Sequence, residues 1–152
     1  MNHNFDITRI EDLDSTVVQL LTITGLNSIW LLSGHLGAGK TELVRLLAKT
    51  AMVQQEVSSP SFNLHNIYHG ILSEVQIEIH HYDLYRLNQS YVHDLFDLEL
   101  YSDNFILCVE WHTKTTFNWY DISESVYEIN LNLDIDNNHR ELVCRKYESP
   151  HR

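Results

Sequence analysis

Eleven consecutive residues, Leu31-Leu32-Ser33-Gly34-His35-Leu36-Gly37-Ala38-Gly39-Lys40-Thr41, restrict the possible folds of this chain more than any other stretch. They fit G-x-x-x-x-G-K-[ST], the pattern of a phosphate-binding P-loop. An apolar run, Ile29-Trp30-Leu31-Leu32, precedes the pattern and reads as a buried strand. After it, Leu43, Leu46, Leu47 and Ala51 recur at helical spacing. The chemistry needs this order. Gly34, Gly37 and Gly39, interleaved with His35, Leu36 and Ala38, let the backbone curl with its N–H groups inward, where a side chain would block the phosphates. The helix that follows adds its unpaired N–H groups and the positive end of its dipole. Lys40 reaches the β- and γ-phosphates as a point charge, and the Thr41 hydroxyl can ligate Mg²⁺. A nucleotide triphosphate site is the expectation.

Length and charge limit the rest. The chain has 152 residues, 43% of them apolar, enough for one domain with a proper core. No stretch reaches transmembrane length, and Met1-Asn2-His3-Asn4-Phe5-Asp6 lacks the charged-then-apolar form of a signal peptide. A cytoplasmic protein without membrane association is expected. Cys108 and Cys144 lie in apolar or strand-like runs and read as reduced core residues. Asp and Glu number 21 against 10 Lys and Arg, a formal charge of −11. Phosphate backbones repel such a surface, so little or no direct binding of naked nucleic acid is expected. The ten histidines are scattered, and the adjacent pair His80-His81 would point to opposite faces of a strand, which argues against a histidine metal site.

Taken in order, Thr8 to Leu21 reads as a first helix. Thr8-Arg9-Ile10-Glu11 has capping-box spacing, Leu13, Val17, Leu20 and Leu21 form an apolar stripe, and Gly25 ends it. The helix after the P-loop runs to about Val53. Pro60 forces Ser59 out of helical geometry, so Ser58-Ser59-Pro60-Ser61-Phe62 is an extended loop. Its hydroxyls either face a γ-phosphate and its magnesium water or belong to a plain connection. Phe62–Tyr68 and Val75–Tyr82 read as strands, and Gly70 between them suggests an antiparallel hairpin. Asp83, at the second strand's end, is either a magnesium or water-positioning group or a turn cap. Ser90 to about Leu100 reads as a short acidic helix carrying Asp94, Asp97 and Glu99.

Phe105-Ile106-Leu107-Cys108-Val109 is a continuous apolar run ending at Glu110, the form of a buried parallel strand with a carboxylate at its tip. Ligands bind at such tips in open α/β sheets. Glu110 either handles Mg²⁺ and the attacking water or merely closes the strand. Trp111 beside it shields the site, anchors a partner or packs in the core. Ser125–Leu133 and Arg140–Tyr147 alternate around the turn residues Asp136-Asn137-Asn138-His139, which reads as a second hairpin at the sheet edge.

Four segments together resemble the TsaE (YjeE) family of small bacterial P-loop ATPases. They are Gly34 to Thr41, Ser59-Pro60-Ser61-Phe62, Tyr82-Asp83-Leu84-Tyr85-Arg86-Leu87 and Val109-Glu110-Trp111, in the family's order and spacing from about Trp30 to Trp111. The resemblance implies an α/β, P-loop NTPase-like single domain over residues 1–148, with a loose tail at 149–152. Its mixed sheet would have a parallel core and antiparallel hairpin strands, flanked by helices. It implies a Mg²⁺-dependent ATPase, weak alone and stimulated by TsaD-like and TsaB-like partners. The pathway would be N6-threonylcarbamoyladenosine modification at position 37 of transfer RNA, with ATP hydrolysis allowing multiple turnovers. On that pattern Lys40, Glu110 and Asp83 serve catalysis, and Thr41, Glu110 and Asp83 serve the metal. Residues 34–41, Ser61, Trp111 and a late arginine, Arg140, lie near the nucleotide. His35 stands where the family has an acid, and Ser61 where it has threonine. The glycines that usually follow the P-loop helix and the acidic helix are missing.

Two other classes share these features. Small P-loop kinases have the loop and the size, but they clamp phosphates with several lid arginines, and the six arginines here are widely spread. A nucleotide-gated binding module would use ATP only to order the Ser58–Phe62 loop and the acidic helix for docking.

Overall fold

The computed structural model describes residues 1–35, 37–60, 63–87, 95–96, 101 and 103–150. Most of the expected acidic helix, together with Leu36, Ser61 and Phe62, lies outside the described residues.

The described residues form a seven-stranded mixed sheet packed against two long helices. In chain order the elements are β1 (Asn2–Asp6), α1 (Ile10–Thr24), β2 (Ser28–Ser33), α2 (Lys40–Thr50), β3 (His65–Leu72), β4 (Val75–Asp83), β5 (Phe105–Glu110), β6 (Ser125–Asp134) and β7 (His139–Lys146). Across the sheet they lie in the order β1-β7-β6-β2-β5-β4-β3. The centre, β6-β2-β5-β4, is parallel. Both flanks close with antiparallel pairs, β3 on β4 and β7 on β6, and β1 adds to β7. Parallel strands need both faces covered, which is why β2 and β5 read as unbroken apolar runs rather than alternating ones. Every residue of β5 is buried.

Alternation along each strand sorts two cores. On one face, Trp30 and Leu32 of β2, Ile77 and Ile79 of β4, and Ile106 and Cys108 of β5 pack under α1 and α2. On the other, Ile29, Leu31, Tyr82, Leu107 and Val109 meet Leu84, Phe96 and Trp119. Both helices therefore serve one face, and the described residues covering the other include Leu95 and Phe96, irregular chain and short 3-10 turns at His112–Lys114 and Trp119–Asp121. Cys108 and Cys144 are buried and unpaired by disulfide.

Several local expectations change. The helix α1 begins at Ile10, after Arg9, and its start has no side-chain cap. The Thr8 hydroxyl is instead an acceptor for the Arg140 backbone N–H at 3.0 Å, so a tertiary contact takes the group the capping box would have used. Gly25 does end the helix, donating its N–H to Leu21 O. The helix α2 stops at Thr50 rather than Val53. Gly70 lies within β3, not in the turn. A Cβ there would run into the backbone oxygen and Cβ of Ala51, so the site accepts no larger residue without movement. Ser73 and Glu74 make the turn, at φ 48° and 66°. The β6–β7 hairpin is not the sheet edge, because β1 covers β7. Of the expected tail, Ser149 is buried and 151–152 lie outside the described residues. No described helix is long and apolar enough to cross a membrane.

Candidate functional site

Parallel pairing brings the ends of β6, β2, β5 and β4 to one rim of the sheet. In register, Ser33 of β2 faces Asn130 of β6, Leu32 faces Glu110 of β5, and Glu110 faces Asp83 of β4. The P-loop leaves β2 at this rim and enters α2, so residues far apart in the chain meet here by topology alone. Ser33 Oγ hydrogen-bonds Asn130 Oδ1, tying the root of the loop to β6.

The loop is tightly wound. Gly34 has φ 146°, and a Cβ there would stand 2.6 Å from Leu131 O, so only glycine passes this close to β6. Ala38 N donates to His35 O at 3.0 Å, Gly39 caps α2 in a left-handed conformation, and Leu43 N donates to Gly39 O at 2.9 Å. His35 and Gly37 are exposed, Ala38 is buried and Thr41 is half-buried. The Lys40 ammonium, nearly buried, donates to Gly34 O at 2.6 Å and lies 5.3 Å from the centre of the Trp111 ring. Leu32, Ser33, Gly34, Lys40, Trp111, His112 and Thr113 line a small cavity of about 120 Å³ at this point.

Glu110 is 5% exposed, and its Oε2 lies 2.6 Å from Nε2 of the fully buried His81. Immediately after it, Trp111 takes a left-handed conformation, φ 60°, which turns the chain over the rim and sets its ring between Lys40 and Tyr85. Asp83 is also buried, and its Oδ1 accepts the Tyr85 N–H at 3.0 Å. The turn-cap reading of Asp83 therefore holds for that oxygen, while the backbone places the residue directly beside Glu110. The Ser58–Pro60 loop feeds the same corner. Ser58 pairs through backbone N and O with the Tyr68 hydroxyl at 3.2 Å, and Leu64 N donates to Pro60 O at 2.7 Å. Leu64 O in turn accepts Asp83 N–H at 3.0 Å. Arg140, the second residue of β7, stands opposite Leu133, two residues beyond Leu131 at the same end of the sheet, with an exposed side chain. Ser61 and Leu36 lie outside the described residues.

Lys40, Asp83, Glu110 and Trp111 thus lie at one rim of the sheet, with Thr41 next to Lys40 at the head of α2, and the donor set suits a magnesium triphosphate. It offers a curled backbone with no Cβ at its closest approach, one ammonium, one hydroxyl and two neighbouring carboxylates. A larger cleft of about 750 Å³, lined by Met52, His69, Glu78 and Asp103 among others, opens at the opposite end of the strands, away from this convergence. Sequence reasoning missed His81. Its signal was present, since His81 stands two residues before Asp83 and so shares its face.

The chain is similar to known proteins over most of its length. The family model "Threonylcarbamoyl adenosine biosynthesis protein TsaE" matches residues 7–142. The tRNA threonylcarbamoyladenosine biosynthesis protein TsaE of Treponema pallidum is 33% identical over 81% of this chain and 84% of its own length. The Synechocystis protein of the same name is 36% identical over 73% of each chain. The Nostoc protein is 38% identical, with 59% of this chain matched to 56% of that one. The crystal structure of Bacillus subtilis YdiB superposes with a TM-score of 0.66 over 97% of this chain and 87% of that one, at 20% identity, a likeness of fold. With a P-loop at the head of α2, a parallel central sheet and a family match that spans nearly all its elements, this chain belongs to the TsaE family.

Proposed function

We propose that this protein binds ATP with Mg²⁺ at the rim around Lys40 and hydrolyses it as an accessory factor in transfer RNA threonylcarbamoyladenosine formation. It would act in the cytoplasm with TsaD-like and TsaB-like proteins and let them turn over repeatedly. One observation carries the reading beyond family membership. The P-loop lysine and two buried carboxylates, Asp83 and Glu110, converge on three adjacent parallel strand ends.

The residues divide the work as follows. Backbone N–H groups of residues 34–41 and the start of α2 hold the phosphates, with Lys40 on the terminal ones. Thr41, Glu110 and Asp83 would hold the metal, which supplies charge neutralisation of the phosphates when bound. Glu110 or Asp83 orients the attacking water, a positioning role that suits phosphoryl transfer, where the protein forms few covalent bonds. Trp111 screens Lys40 from solvent. Arg140 is the late arginine at the same end of the sheet, and its exposed side chain does not form a ready-made arginine finger. Activity should therefore be low alone and rise with the partner complex. The formal charge of −11 favours protein contacts over naked nucleic acid.

Reconstitution tests the proposal. A purified TsaD–TsaB pair with transfer RNA should stop near one round of modification without this chain and continue with it and ATP. Unchanged rounds on addition would refute the accessory role. Continued rounds with a non-hydrolysable analogue would instead establish a nucleotide-gated module. Phosphoryl transfer to a metabolite, rather than phosphate release, would establish a kinase.

A further inference from the structure

Burying a carboxylate without a donor is costly, because it loses water that nothing replaces. Glu110, 5% exposed at the end of β5, avoids this through one side-chain contact, His81 Nε2 at 2.6 Å. The two come from neighbouring strands. In the β4–β5 register His81 faces Cys108 and Asp83 faces Glu110, so His81 reaches up one same-face position to meet the carboxylate. It is itself 0% exposed, and its other ring nitrogen, Nδ1, is buried with no hydrogen-bond partner among the described residues.

Those facts fix which nitrogen of the His81 ring carries the hydrogen. Had Nδ1 carried the hydrogen, a buried N–H would be orphaned, and a bare Nε2 lone pair would face a carboxylate oxygen at 2.6 Å. Placing the hydrogen on Nε2 removes both penalties and makes a charge-assisted hydrogen bond. We propose that His81 is a positioning residue for Glu110. Its Nε2–H holds Oε2 and fixes the side-chain rotamer, leaving Oε1 as the oxygen that works in the site. This rests on the reading above that Glu110 is the working acid. Partners that orient a metal-handling group typically change affinity or activity about 10- to 100-fold when removed.

Two measurements test it. The first uses the wild-type protein without nucleotide or metal. ¹⁵N imidazole correlation spectra, with His81 assigned by its loss in His81→Gln, should show hydrogen on Nε2 and a bare Nδ1, and Glu110→Gln should shift the Nε2 signal. Hydrogen on Nδ1 would overturn the proposal. The second compares His81→Phe with His81→Gln, whose side-chain amide can restore the donor. We expect kcat for ATP to fall about 10- to 100-fold in His81→Phe. Affinity for a non-hydrolysable analogue should stay within about threefold, and most of the rate should return in His81→Gln. Wild-type kcat in His81→Phe would overturn the proposal. So would equal loss of rate and melting temperature in both variants, the mark of a purely space-filling role. If the wild-type protein hydrolyses nothing even with its partners, the ATPase reading fails, while the spectrum still decides the His81–Glu110 contact.

Discussion

His80 and His81 are adjacent, equally buried and on opposite faces of β4. Among the described residues, each has one hydrogen-bonded ring nitrogen and one without a hydrogen bond. His81 points to the face that holds the P-loop and α2, where it meets the carboxylate of Glu110. His80 points to the aromatic core. Its Nδ1 lies 2.9 Å from His65 Nε2, Tyr101 packs edge-on against its ring, and Glu78 Oε2 is 3.4 Å from its unbonded Nε2. His65 in turn stacks on Tyr82 with ring centres 4.0 Å apart. Burial alone thus says little about function in this molecule. What separates the two histidines is whether the next group along is a carboxylate at a parallel strand tip or a second neutral ring in a packed cluster.

The largest expected effect lies on the P-loop face. Glu110→Gln keeps shape and hydrogen bonding but removes the charge that would orient water and metal. Hydrolysis should fall roughly 100- to 1,000-fold, about 3–4 kcal/mol of barrier. Analogue affinity should change less than about threefold, because the triphosphate is held chiefly by the loop and Lys40. Steady-state phosphate release beside calorimetric binding reads both quantities. Retained turnover would move the working role to Asp83 on the same face of β4 and leave the His81–Glu110 contact without a catalytic purpose.

The aromatic face should answer to pH instead. Burial pushes both His65 and His80 down to about 4, reinforced by His80 and His81 at His65 and by His69 at His80, with Glu78 opposing the shift at His65. In the unfolded chain these groups titrate near 6.5. Between those values the unfolded state binds more protons than the folded one, so acid favours unfolding. Their contribution to stability is full above about pH 6.5, declines as pH falls, and is spent near pH 4. The melting temperature should drop several degrees from pH 7 to pH 5. His65→Phe, which keeps a ring against Tyr82, should flatten that slope and change hydrolysis at neutral pH less than about twofold. An unchanged slope would exclude this pair as the acid-sensitive element.

The contrast between faces also marks how far the sequence could be read. The P-loop and the Phe105–Glu110 run were legible because their constraints are local. A phosphate cradle needs glycines at fixed spacing, and a strand buried on both sides needs an unbroken apolar run. The strand β1 was not legible. Asn2-His3-Asn4-Phe5-Asp6 has one apolar residue and is held to β7 by backbone pairing, which leaves no side-chain pattern. Thr8 has capping-box spacing, yet its hydroxyl is taken by Arg140, 132 residues away. Gly70 looks like a turn residue and is instead the contact point for Ala51. His81 was visible as a residue sharing a face with Asp83. Its partnership with Glu110 depends on the β4–β5 register, which no local stretch encodes.

The smallest expected effect is at Tyr82, the aromatic-face neighbour of both histidines. Its hydroxyl donates to Leu95 O at 3.2 Å and lies 3.0 Å from the Tyr101 hydroxyl. Burial, then Tyr101, raises its pKa well above the ordinary tyrosine value, so it stays a neutral donor across the accessible range. Tyr82→Phe keeps the ring against His65 and Phe96 and deletes only that hydroxyl. A buried hydrogen bond is worth about 1 kcal/mol net, or about 2–4 °C in melting temperature for a chain of this size. Hydrolysis should be untouched, because the ring points away from Glu110 and Asp83, whose face belongs to His81. A rate loss in Tyr82→Phe without a matching loss of stability would show that the two faces are coupled through the β4 backbone, and the division between His80 and His81 would no longer stand.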